Sequence, residues 1–136
     1  WYGPCDFEKT GLFIPPDGSE VRDRFGSRIL KAGADEKIRL AAYREVSPVN
    51  YLRPDSPPLL MMQGDKDPTI PVQHAHHMKE RAEAVKAPVE TFIVQNSGHN
   101  WREVGGMLSP TLDEIMTKTA EFMKKHLERV SSSPSR

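Results

Sequence analysis

Residues 57–100 limit the possible folds more than any other stretch. Pro57-Pro58 precede a short apolar run, Leu59-Leu60-Met61-Met62, which stops at Gln63-Gly64 and gives way to the acidic loop Asp65-Lys66-Asp67-Pro68. A helix is predicted from about Gln73 to Lys86, where Ala75, Met78, Ala82 and Val85 fall on one apolar stripe. A second run, Val89-Glu90-Thr91-Phe92-Ile93-Val94, is rich in strand formers and ends in Asn96-Ser97-Gly98-His99. Strand, helix and strand at these lengths make a βαβ unit, and its two parallel strands end at the same edge of a sheet. Asp67 lies just past the first strand and His99 just past the second. The two side chains are therefore expected to meet.

That edge is where open α/β sheets gather ligands and catalytic groups. A buried carboxylate that accepts a hydrogen bond from imidazole Nδ1–H fixes the tautomer and stabilises the imidazolium. The other ring nitrogen can then act as a general base near neutral pH. Asp67 and His99 are the candidate catalytic residues on this ground. A histidine after a strand is commonplace; Gly98 before it, the β-rich run and the matching acid single this one out. Asp65 competes with Asp67 but follows Gly64 directly, and reads better as the cap of its turn.

The same residues carry a resemblance. Residues 57–100 resemble the C-terminal part of an α/β-hydrolase of the esterase and prolyl-oligopeptidase-like branch. That branch reads PP, an apolar run, HG-x-x-D-x-x-V-P, a helix, a strand and G-x-G-H. Pro57-Pro58, Gly64, Asp67, Pro71, Gly98 and His99 match it. Upstream, Ser47-Pro48-Val49-Asn50-Tyr51 is similar to the family's SP-x-x-Y, and Trp1-Tyr2-Gly3-Pro4-Cys5-Asp6-Phe7 to its YGPTDF turn. The resemblance extends over most of residues 1–127 and is weakest over 14–45. Gln63 stands for the usual His, Cys5 for Thr, Ile70 for Val and Asn96 for the first glycine of G-x-G-H. None of these is a triad position in the family, where the match favours Asp67 over Asp65 as the acid.

The resemblance implies an α/β fold: the C-terminal portion of an α/β-hydrolase, with parallel strands, crossover helices and a short cap-like helical insertion at residues 19–45. Residues 1–130 would belong to that domain and 131–136 would be a disordered tail. It also implies a carboxylic ester hydrolase with a Ser-His-Asp triad, acting on a small-molecule ester without cofactor or metal. Chain order in the family is Ser, Asp, His, with the serine in G-x-S-x-G. No G-x-S-x-G occurs in this sequence, and no HGGG-type oxyanion loop. Ser19 and Ser27 lack the flanking glycines and a preceding apolar strand, and read as turn or cap serines. The chain is thus expected to be part of a longer hydrolase, inactive alone, whose open sheet edge needs the rest of the protein or self-association. A serine peptidase, a dienelactone-type hydrolase with a cysteine nucleophile, and a non-catalytic pseudo-enzyme acting as an interaction module are the alternatives.

The remaining chain adds less. Residues 1–18, rich in Gly and Pro, read as a loop; Trp1, Tyr2 and Phe13 are core or cap aromatics, or else line an acyl or alcohol pocket. From Ser19 to Tyr43 the pattern suggests two short helices, broken at Gly26 and Gly33, with Asp35 as an N-cap or first-turn acid. Residues 47–58 are a proline-stiffened loop. His74, His76 and His77 are read as a polar, solvated helix face rather than a metal site, since no ligand set is complete. Ser109-Pro110 is predicted to open a last helix whose apolar face comprises Leu112, Ile115, Met116, Thr119, Phe122, Met123 and Leu127. The formal net charge is zero, which points to neither nucleic acid nor an anionic membrane surface. No run of about eighteen apolar residues indicates a membrane span. The single cysteine, Cys5, excludes an intrachain disulfide, and localisation is not readable.

Overall fold

A computed structural model describes residues 3–14 and 35–131. Its centre is the predicted βαβ unit. Strand β1, Leu59–Gly64, pairs in parallel with β2, Val89–Val94, so that Leu59 faces Val89 and Gly64 faces Val94. The crossover carries a helix over Gln73–Val85. We call it α2, because α1, Glu36–Glu45, precedes the sheet, and α3, Leu112–Ser131, follows it. α2 ends at Lys86 in a left-handed conformation (φ 57°), whose N–H returns to the carbonyls of Ala82 and Glu83.

β1 is covered on both faces, which explains its near-continuous apolar sequence. Alternation along the strand sends Met61 to one side, where it packs with Cys5, Val49, Ala75 and Met78. Leu60 and Met62 go to the other side, against Val94 and Ile115. Each such side chain removed from water contributes about 2 kcal/mol. Helices therefore lie on opposite faces of the sheet, as an α/β architecture requires. A third cluster, Phe7, Phe13 and Tyr43, joins the N-terminal loop to α1. Phe13 is fully buried there, with its ring 4.4 Å from that of His74. It serves the core; Trp1 and Tyr2 lie outside the described residues.

Asp35 caps α1 as expected, accepting a hydrogen bond from the Ile38 N–H at 2.9 Å. The first of the two helices predicted in 19–43 falls outside the described residues, as do residues 132–136 of the tail. Within the proline-rich 47–58 segment, Pro48–Tyr51 winds into a 3-10 turn. The start of α3 differs from expectation. Ser109 is engaged instead by Gln95, each backbone N–H bonding the other's carbonyl at 2.8 and 3.2 Å. The cap is a reciprocal pair two residues on: the Glu114 N–H donates to Thr111 Oγ1, and the Thr111 N–H and hydroxyl donate to the Glu114 carboxylate. Those bonds to Thr111, backbone first, hold the Glu114 carboxyl below its usual range. The predicted apolar face of α3 is also split. Ile115 is buried and Phe122 packs beside it, whereas Leu112, Met116, Met123 and Leu127 are exposed.

Candidate active site

Both strand ends are tied to each other by main-chain bonds. The Asp65 N–H donates to the Val94 carbonyl at 3.0 Å and the Lys66 N–H to that of Ser97 at 2.9 Å. In return, the Ser97 N–H donates to Asp65 Oδ1 at 3.0 Å. Asp65 therefore caps the neighbouring loop rather than its own turn. The approach is so close that a methyl group on Gly64 would collide with the Ser97 carbonyl, so only glycine fits there. Asn96 and Asn100 take left-handed conformations (φ 56° and 59°), which asparagine tolerates. Trp101 does so too, at φ 60°, a strained geometry for a bulky residue and one that accumulates near functional loops.

This clamp brings the two sequence-predicted residues together. Asp67 follows β1 and is 2% exposed; His99 opens the short turn His99–Trp101 after β2 and its side chain is 32% exposed. His99 Nδ1 lies 2.9 Å from Asp67 Oδ2. An ionised carboxylate only accepts, so Nδ1 carries the proton and Nε2 is the ring's basic atom. Asp67 Oδ1 accepts from the N–H groups of Thr69 and Ile70 at 2.8 and 3.0 Å. Its Oδ2 also accepts from Gln63 Nε2 at 3.0 Å. His99 borders a cavity of about 860 Å³ with Lys66, Thr69, Asn100, Arg102 and Glu103. The Lys66 ammonium is held by Asn96 Oδ1 and the Val104 carbonyl, at 2.9 and 3.0 Å.

The histidines of α2 correct the solvated-face expectation. His76 is exposed, but His74 and His77 are buried. His77 Nε2 lies 2.9 Å from Asp6 Oδ2, with both side chains under a tenth exposed. His74 Nδ1 accepts from the Cys5 N–H at 3.3 Å, and the Cys5 thiol donates to the His74 carbonyl at 3.1 Å. Burial, more than its charged neighbours, pushes His74 down to about 4 and leaves it neutral at pH 7. Burial and the adjacent Asp6 push the Cys5 thiol up to about 12. A thiol of that kind is no nucleophile. Among the described residues, no group of three or more His, Cys, Asp or Glu is disposed to hold a metal. The sequence pattern also gave Gln63 no role beyond a departure from the resembled motif; a buried amide inside an apolar run was the available signal.

The family model described as BD-FAE matches residues 1–82, a span that includes Asp67 and stops short of His99. The chain belongs to the BD-FAE family. This BD-FAE chain is homologous to esterases: it is 28% identical over 133 residues to Esterase LipC of Mycobacterium tuberculosis, covering 91% of the present chain and 32% of that protein. It spans about a third of the length of that curated relative. Among solved structures, it is similar to the thermophilic esterase Est2 of the planctomycete Thermogutta terrifontis, at 20% identity and a TM-score of 0.53, over 84% of this chain and 39% of that one. That likeness bears on fold alone. A truncated carbohydrate esterase from gut microbiota matches at 25% identity and a TM-score of 0.43, over 44% of this chain and 21% of the other.

Proposed function

We propose that this chain supplies the acid and the base of a serine carboxylesterase. Residues 1–130 would be the C-terminal part of an α/β-hydrolase domain, with the serine and the oxyanion-hole donors on chain that precedes them. The observation that carries this reading is the 2.9 Å contact between His99 Nδ1 and a buried Asp67 Oδ2 at the ends of adjacent parallel strands. His99 Nε2 takes the proton of the attacking serine hydroxyl, and an acyl-enzyme forms as the ester's alcohol leaves with that proton. Water then repeats the sequence in reverse roles and releases the acid. Asp67 keeps its charge throughout, and its four N–H donors hold it still while the imidazolium forms and decays. Homology to esterases supports the reaction class, and a small-molecule ester is the expected substrate.

In the full-length protein, replacing His99 by alanine is expected to abolish turnover of short p-nitrophenyl esters. Retention of full activity by that variant would refute the assignment. A cysteine mechanism using this chain's own thiol is disfavoured by the burial of Cys5.

A further inference from the structure

Gln63 lies near the end of β1, behind Leu60, Met61 and Met62, and is completely buried. A buried amide is costly unless its polar atoms are paired. Both Nε2 protons are used: one goes to the Ile70 carbonyl at 2.8 Å, the other to Asp67 Oδ2 at 3.0 Å. The amide cannot be turned over, because Oε1 would then face two acceptors. As it stands, Oε1 is enclosed and accepts from no described residue. Such a half-satisfied polar group destabilises a core relative to an apolar side chain of the same size. Leucine or methionine, as at the three positions before it, would fill this place more favourably. What Gln63 adds is a donor aimed at the one carboxylate oxygen that also faces His99 Nδ1.

We propose that Gln63 is a positioning residue for the Asp67–His99 pair, fixing Oδ2 where the imidazole N–H meets it. This rests on the triad reading given above for Asp67 and His99. Without Gln63, Asp67 keeps the Thr69 and Ile70 N–H bonds to Oδ1 and can pivot about them. Oδ2 then swings, and His99 loses the orientation that proton transfer requires. The bond from Gln63 to the Ile70 carbonyl also closes the acid loop on the strand that launches it. Gln63 touches no substrate, so its loss is felt in turnover rather than in substrate binding.

The test compares Q63L and Q63H in the full-length protein, with active sites counted by fluorophosphonate titration. Q63L is expected to lower kcat per active site roughly ten- to hundredfold with KM unchanged. It is also expected to erase or broaden the downfield proton resonance of the His99 Nδ1–H. Q63H returns a ring N–H donor and is expected to restore most of the kcat and the resonance. Wild-type kcat per active site and an intact resonance in Q63L would overturn the proposal. So would a loss confined to the number of active sites, which is the mark of a purely structural role. H99A, measured alongside, separates the two levels. If H99A is fully active, the triad reading fails; if H99A is inactive and Q63L is normal, only the role of Gln63 fails.

Discussion

Among the described residues, two aspartate–histidine pairs sit at the same 2.9 Å separation. Asp67–His99 joins two strand-end loops, and its imidazole borders a large cavity. Asp6–His77 joins the N-terminal loop to α2 beneath the neighbouring side chains, with neither partner open to solvent. Contact distance does not distinguish them; access does. A histidine can exchange protons with a substrate only if one ring nitrogen faces space that the substrate can occupy. His99 of the first pair borders such a space, whereas the second pair is placed to hold a loop on a helix.

The largest expected effect separates the pairs directly. In the full-length protein, H99A should reduce ester turnover by roughly four orders of magnitude or more, while H77A should leave kcat close to that of the parent. H77A should instead lower unfolding stability by about 3 kcal/mol, since it strands the buried Asp6 carboxylate. Equal losses of activity in the two variants would break the comparison.

Acid should destabilise the fold through the buried His74. His74 is held neutral down to about pH 4, while the unfolded chain takes up a proton near 6.5. The unfolded state therefore binds more protons between these values, and stability is full above pH 6.5 and falls as pH drops toward 4. The loss is on the order of 3 kcal/mol, and urea midpoints measured across that window should show it. H74F, which cannot titrate, should flatten the curve.

Gly64→Ala probes the other region. Its methyl group must push Ser97 aside, at a cost of about 1–3 kcal/mol. Activity should fall further than stability explains, since the Lys66–Ser97 bond sets the spacing between the loops of Asp67 and His99. The smallest effect belongs to a helix end outside both pairs. Asp35→Ala should cost about 1 kcal/mol in thermal unfolding and leave turnover unchanged.

The parts of the fold readable from sequence were those encoded locally. The limits of β1 and β2 follow from apolar runs that stop at Gly64 and before Asn96, α2 follows from its apolar stripe, and the placing of Asp67 and His99 follows from the strand ends. What escaped depends on partners remote in the chain. His74 and His77 resemble a polar helix face until Phe13, Cys5 and Asp6 fold over them from the N-terminal loop. Ser109 has a good cap sequence, yet its backbone is paired with Gln95, and the helix is capped at Thr111 instead. Four of the six large apolar residues named for α3 face outward because only one side of the helix meets Leu60 and Met62.

The clamp between Gly64, Asp65, Lys66 and Ser97 has an evolutionary consequence. It locks the spacing of acid and imidazole into peptide geometry, independent of the side chains that surround the cavity. On the proposed reading, such a scaffold can change its selectivity by rebuilding the walls without moving the acid or the imidazole.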